Sequence, residues 1–165
     1  MLVIYGAPAV GKTTLITYLR NTLSLTVMEL DEEIKQENNG VWPEPAEYRN
    51  REIVPKVLKR IATLDNGIFV TSGLNPEFAD AIRKNNGKVA LLYLAEEHLL
   101  ARNSKRLKET GHDVYDQIQQ NLKDQARLKT EVGFDYVIDA NQPVEKIATQ
   151  VKTILLTLSS HSLTS

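Results

Sequence analysis

Gly6-Ala7-Pro8-Ala9-Val10-Gly11-Lys12-Thr13 is the stretch on which the fold of this chain turns. Its spacing, G-x-x-x-x-G-K-[ST], is that of a phosphate-binding loop. Glycines let the backbone curl until successive N–H groups point inward at an anion. The helix that follows adds free N–H donors and the positive end of its dipole. In that arrangement Lys12 reaches the β- and γ-phosphates of a nucleotide, and the Thr13 hydroxyl ligates Mg²⁺. Thr14 continues the helix at the edge of the same cofactor site. The flanks agree. Leu2-Val3-Ile4-Tyr5 is an apolar, β-branched run, and Leu15, Ile16 and Leu19 share one face of a helix over residues 12–22. A glycine-rich turn with a surface lysine would need neither flank.

Outward from the loop, short apolar runs alternate with longer amphipathic segments. Strands are expected at residues 2–5, 27–30, 68–71, 89–94 and 136–138. Helices are expected at 12–22, 31–37, 46–64, 76–85, 96–108, 114–130 and 144–158, with Pro55 kinking or breaking the third. The strands are continuous apolar runs, as when helices cover both faces of a sheet. The pattern predicts one α/β domain over residues 1–158, with a parallel five-stranded sheet flanked by helices. The small, polar stretch 159–165 is expected to be a frayed tail.

Bulk composition narrows the partners. A net charge of −1 gives no reason to expect a nucleic acid polymer or an anionic membrane. The absence of cysteine excludes a disulfide scaffold, a thiolate zinc site and a Cys nucleophile. His98, His112 and His161 lack metal-ligand spacing. No apolar run spans a bilayer, and the N-terminus has no positively charged signal region. A cytoplasmic monomer or weak dimer is the expectation.

Three classes of phosphate-loop protein then compete. A GTPase needs Asn-Lys-x-Asp after a strand; Asn121-Leu122-Lys123-Asp124 has the wrong order and falls within a predicted helix. A motor-type ATPase carries an acidic residue at a strand end, where this chain has Thr71-Ser72-Gly73. A kinase needs an acceptor pocket and a cationic cover, and both have candidates. Glu29-Leu30-Asp31-Glu32-Glu33-Ile34 ends the second strand, beside the phosphate loop, where open α/β sheets hold ligands. Asp31 there orients or deprotonates an acceptor hydroxyl, or holds Mg²⁺ through water, or simply caps the next helix. Glu29 is a second candidate, and Glu32 and Glu33 read as a solvated first turn. Arg49 suits a planar anion on the acceptor, against a surface pairing with Glu47 or Glu52. Trp42 lies against the acceptor or is plain packing. Arg102 and Arg106 lie one turn apart, followed by the break Thr110-Gly111-His112-Asp113. Residues 102–116 therefore read as a basic flap over ATP, against an ordinary basic helix end. Arg127 follows on the next helix and reaches back toward the substrate.

These features together resemble the shikimate-kinase-like and nucleoside-monophosphate-kinase-like branch of phosphate-loop kinases, over residues 2–156. Glu29 to Ile34 is similar to that family's D-[ST]-D-x-x-I, which places Asp31 by the acceptor hydroxyl. Tyr48-Arg49-Asn50-Arg51-Glu52 is similar to its Phe-Arg-x-x-Glu, which carries acceptor binding to Arg49. Asp135-Tyr136-Val137-Ile138-Asp139-Ala140 resembles the last strand and adenine-side loop, implying Asn141, Gln142 and Pro143 against the base. The chain also departs from the pattern. Glu29 replaces the first Asp, the flap lacks an Arg-Pro stretch, and Gly73 alone stands for a run of glycines at the acceptor ring. The resemblance implies strand order 2-3-1-4-5, ATP and Mg²⁺, and a small-molecule acceptor bound by residues 31–64. That acceptor would be a nucleoside, a nucleotide or a shikimate-like polyol. A nucleotide-dependent switch or ATPase without an acceptor is the competing expectation.

Overall fold

The computed structural model describes residues 1–161. Its strands are β1 (Leu2–Gly6), β2 (Val27–Glu29), β3 (Ile68–Thr71), β4 (Lys88–Tyr93) and β5 (Tyr136–Asp139). Its helices are α1 (Lys12–Thr22), α2 (Leu30–Glu37), α3 (Ala46–Tyr48), α4 (Val54–Ala62), α5 (Pro76–Lys84), α6 (Glu96–Thr110), α7 (Tyr115–Glu131) and α8 (Val144–His161). The sheet is parallel throughout in the order β2-β3-β1-β4-β5, as expected.

β1 is central and buried along its whole length. Ile4 pairs with Val70 on one side and Ala90 on the other. Successive side chains of a strand face opposite ways. Leu2 and Ile4 enter a core with Leu15 and Leu19 of α1 and Val151 of α8. Val3 enters the opposite core with Val57 and Ile61 of α4 and Phe78 and Ile82 of α5. Both faces are thus sealed by helices, and β1 delivers the phosphate loop from the middle of the sheet's C-terminal edge.

Four expectations are corrected. Leu30 starts α2 instead of ending β2, so Glu29 takes the cap position and Asp31 lies in the first turn. Asp31 is therefore not the helix cap. The single helix expected over 46–64 is divided: a π-helical segment, Arg49–Ile53, separates α3 from α4. The Val54 N–H reaches back to the Arg49 carbonyl, and Pro55 falls in the first turn of α4, where its missing N–H is harmless. Helix α6 runs on to Thr110 and ends at Gly111, whose φ of 69° suits glycine. Helix α8 continues to His161, into the stretch expected to fray, and residues 162–165 of that stretch lie outside the described residues.

Asp135 pins the start of β5. Its Oδ2 accepts the Val89 N–H at 2.9 Å and Arg83 Nε at 3.2 Å, while Lys88 Nζ lies 3.4 Å from Oδ1. Burial alone would raise this carboxyl. The Val89 N–H and the charges of Arg83 and Lys88 outweigh that and hold it below the usual carboxylate range. A depressed carboxyl contributes stability above its unfolded value of about 3.9, and that stability is lost as pH falls through the lower folded value. Asp135→Asn should therefore lower the melting temperature at neutral pH. The gap from the parent should close as melts are repeated through pH of about 4 and below; a gap that stays constant with pH would show that the charge is irrelevant.

Candidate active site

The two glycines of the loop serve different needs. At Gly6 a Cβ would meet Val10 Cγ1 at 3.0 Å and Leu92 at 3.3 Å, so glycine permits close packing. Gly11 has φ 108°, a left-handed backbone at the start of α1. Ala9 also lies in the left-handed region, at φ 63°, without glycine's freedom, a strain of about 1 kcal/mol.

Lys12 turns back along the loop. Its Nζ donates to the carbonyls of Gly6 (2.9 Å) and Ala7 (2.8 Å). Burial pushes its pKa down to about 8, with Glu29 and Asp31 opposing the shift and Arg106 adding to it. These four charged groups meet because they line one cavity of about 380 Å³. Lys12, Thr13 and Thr14 come from α1, Glu29 from the end of β2, Asp31 from α2 and Ser72 from just past β3. Arg106 comes from α6, His112 from the α6–α7 junction and Gln117 from α7. Glu29 is half-buried, and its carboxyl is raised by burial, then by Asp31 and Glu32, against the pull of Lys12 and Arg20.

The acidic wall is held from behind. Arg20 of α1 donates to the Val27 carbonyl through Nε (3.0 Å) and Nη2 (2.9 Å), and also grips both oxygens of Glu32. Glu33 is buried and accepts from Arg60 at 2.8 Å. Glu32 stands exposed in the first turn as expected, Glu33 is buried against that expectation, and both fasten α2, which carries Asp31, to other elements.

A second cavity of about 430 Å³ lies on the other side of the loop, lined by Leu92, Arg102, Ala140, Gln142 and Val144 among others. Ala9, Gly11 and Thr14 line both cavities. Arg102 donates to the Val10 carbonyl at 2.7 Å and the Ala140 carbonyl at 3.1 Å. The two arginines expected to act together thus enter different cavities, Arg106 the first and Arg102 the second. Asn141 is beside the second, its N–H on Asp139 Oδ1 at 2.8 Å and its amide 3.5 Å from His98 Nε2, but Ala140 and Gln142 form the wall.

Three expected acceptor residues stand outside the first cavity. Arg49 lies over the Trp42 ring, 4.9 Å from its centroid. Arg127 pairs with Glu131 at 3.1 Å and Asp124 at 3.6 Å on its own helix. Gly73 closes a tight turn, its N–H on Thr71 Oγ1 at 2.9 Å and its carbonyl accepting from the same hydroxyl at 2.8 Å. Ser72 is the residue of that loop that reaches the cavity. Its carbonyl accepts from Asn121 at 3.2 Å, and Asn121 accepts from Gln125 at 3.2 Å. Beneath this amide pair lies the buried Tyr5 hydroxyl, beside Asn121 but without a well-formed hydrogen bond. Burial above all raises it to about 12. Ser72 and Gln117 are cavity residues that sequence reasoning did not select, and His112 and Val114 entered it only as part of the 102–116 flap, not as site residues.

The donor set suits a nucleotide with its metal. Among the described residues no group of three His, Cys, Asp or Glu side chains could hold an ion alone. Mg²⁺ characteristically takes one or two protein oxygens and completes its shell with phosphate and water. Thr13 and the carboxylates beside Lys12 supply oxygens of that kind.

The family model described as shikimate kinase matches residues 8–156. A shikimate kinase of Caldicellulosiruptor bescii is 30% identical over 115 residues, 66% of this chain and 64% of that protein. In that match the chain spans just under two thirds of its relative. Shikimate kinase 2 of Photorhabdus laumondii is 27% identical over 167 residues, covering 94% of this chain and 95% of that one. The crystal structure of shikimate kinase from Aquifex aeolicus shares the fold, with a TM-score of 0.67, 21% identity and 99% coverage of each chain.

The charges around Lys12 make its amine testable without any ligand. Replacing Glu29 by Gln should lower its pKa below about 8, and replacing Arg106 by Gln should raise it. The pH dependence of Lys12 acylation, read by peptide mass spectrometry, measures both; equal values in the three proteins would mean these groups do not share one cavity.

Proposed function

The chain belongs to the shikimate kinase family, and from that premise we propose that it moves the γ-phosphate of ATP·Mg²⁺ onto a hydroxyl of a small acceptor, shikimate or a polyol like it. The observation that carries this reading is the single cavity in which Lys12 and Arg106 face Glu29 and Asp31. Cations on one wall suit phosphate, and carboxylates on the other suit a hydroxyl that must give up a proton.

In this reading Lys12 leaves the carbonyls of Gly6 and Ala7 for the β- and γ-phosphates, exchanging neutral acceptors for charged ones. Thr13 and Asp31 hold Mg²⁺, which when bound spreads the charge of the phosphates. Asp31 orients the acceptor hydroxyl and takes its proton, with Glu29 alongside. Arg106 offsets charge building on the transferring group. Arg102 holds the back of the loop while Ala140, Gln142 and the neighbouring Asn141 face the base. Residues 102–116 close as a lid, and Arg49 meets an anionic group on the acceptor as the segment over residues 31–64 folds in. Transfer is direct and in line. We place the protein in the cytoplasm, as a monomer or weak dimer.

Lys12→Ala should cut acceptor-stimulated ATP turnover by about 10²-fold or more while leaving the melting temperature near that of the parent. Asp31→Asn should lose transfer yet bind ATP as before, in a coupled assay run beside calorimetry. Normal transfer by that variant would remove Asp31 from the acceptor site. ATP binding with no stimulation by shikimate, nucleosides, nucleotides or polyols would point to a nucleotide switch instead.

A further inference from the structure

The junction between α6 and α7 is fastened on both sides of one residue. Gly111 turns the chain at φ 69°. Beyond it, the buried Asn103 of α6 takes hold of the returning chain. Its Nδ2 donates to Asp113 Oδ1 at 2.7 Å, and its Oδ1 accepts the Val114 N–H at 3.0 Å. Asp113 Oδ1 also accepts the Tyr115 N–H at 2.9 Å, which starts α7. Val114 itself is buried in the core. Between these fastenings stands His112, its N–H 3.3 Å from Thr110 Oγ1. Its imidazole has no hydrogen-bond partner among the described residues, and it lines the same cavity as Lys12 and Arg106. A side chain held in a turn fastened within its own segment, with no hydrogen-bond partner, is placed to meet something in that cavity.

We propose that His112, as an imidazolium, contacts the γ-phosphate of ATP and completes a three-sided cationic cage with Lys12 and Arg106. This rests on the nucleotide-binding part of the reading above, not on the identity of the acceptor. The charged groups facing the cavity around it are Lys12 of α1, Glu29 of β2, Asp31 of α2 and Arg106 of α6, with Asp113 next to it in the chain. Histidine is the side chain whose charge ordinarily changes between about pH 5 and 8. A contact of this kind therefore weakens as pH rises, and it affects ATP but not ADP, which lacks the γ-phosphate.

Calorimetric titration of the full chain with MgATP and with MgADP, at about pH 6 and about pH 7.5, tests this. The parent should favour ATP over ADP by about tenfold more at the lower pH, the scale of one charge-assisted hydrogen bond. His112→Gln should lose that pH-dependent preference while binding ADP as before. His112→Arg should keep the preference at both pH values. An ATP-to-ADP affinity ratio in His112→Gln that matches the parent at both pH values overturns the proposal and leaves the nucleotide site standing. If Lys12→Ala also binds MgATP as tightly as the parent, the nucleotide site itself is misassigned, and the His112 contact falls with it.

Discussion

Lys12 holds its ammonium group 2.9 and 2.8 Å from two backbone carbonyls, in surroundings that penalise charge enough to bring its pKa to about 8. Most of the architecture around it answers to that group. The carbonyls are available because the loop curls tightly enough to turn Gly6 and Ala7 toward the lysine. That curl requires a left-handed Gly11 and close packing at Gly6. The opposing carboxylates, Glu29 and Asp31, work against that penalty and favour the charged amine. They are held there by Arg20 and Arg60, which fasten α2 by its other glutamates.

The loop is also a partition. Ala9, Gly11 and Thr14 belong to two cavities at once, and Arg102 ties the far side of the loop to the end of β5 through Val10 and Ala140. What binds on one side therefore bears on the same few backbone atoms as what binds on the other. In the proposed function, phosphate chemistry and base recognition would be separated by the thickness of a single chain, which would keep the two tasks in register.

Much of this was legible in the residues alone, for an identifiable reason. The five strands and the phosphate loop follow from short-range patterns, namely apolar runs, helical spacing and glycine at fixed offsets, whereas the strand order came from the family resemblance. Asp31 and Arg106 were also found, because strand ends and basic helix ends are local features. The rest depended on which way a side chain leaves its helix. Arg102 and Arg106 are one turn apart, yet one meets Val10 and the other the opposite cavity. Arg127 had Asp124 and Glu131 within its own helix, and that local pairing prevailed over any reach toward the substrate. Ser72 and Gln117 have no motif around them, and His112 was marked only by the helix break in the expected flap. They reach the cavity because the end of β3, the end of α6 and the start of α7 lie near one another. Glu33 looked like an ordinary first-turn acid until Arg60, far along the chain, was found beside it.

The position of β1 has a consequence for how the chain folds. It is the first strand in sequence and the central one in space, with Leu2 paired to Ile68 on one side and to Lys88 on the other. As a ribosome extends the chain, both partners emerge after β1, β3 before the midpoint and β4 just past it. One edge of β1 must therefore wait for β3 and the other for β4, and closing those long loops is entropically slow. The phosphate loop precedes both partners in the chain, yet Gly6 packs against Leu92, so its shape is complete only once β4 has arrived. Until then the chain carries a hydrophobic strand with an open edge, the kind of segment that invites aggregation or a chaperone.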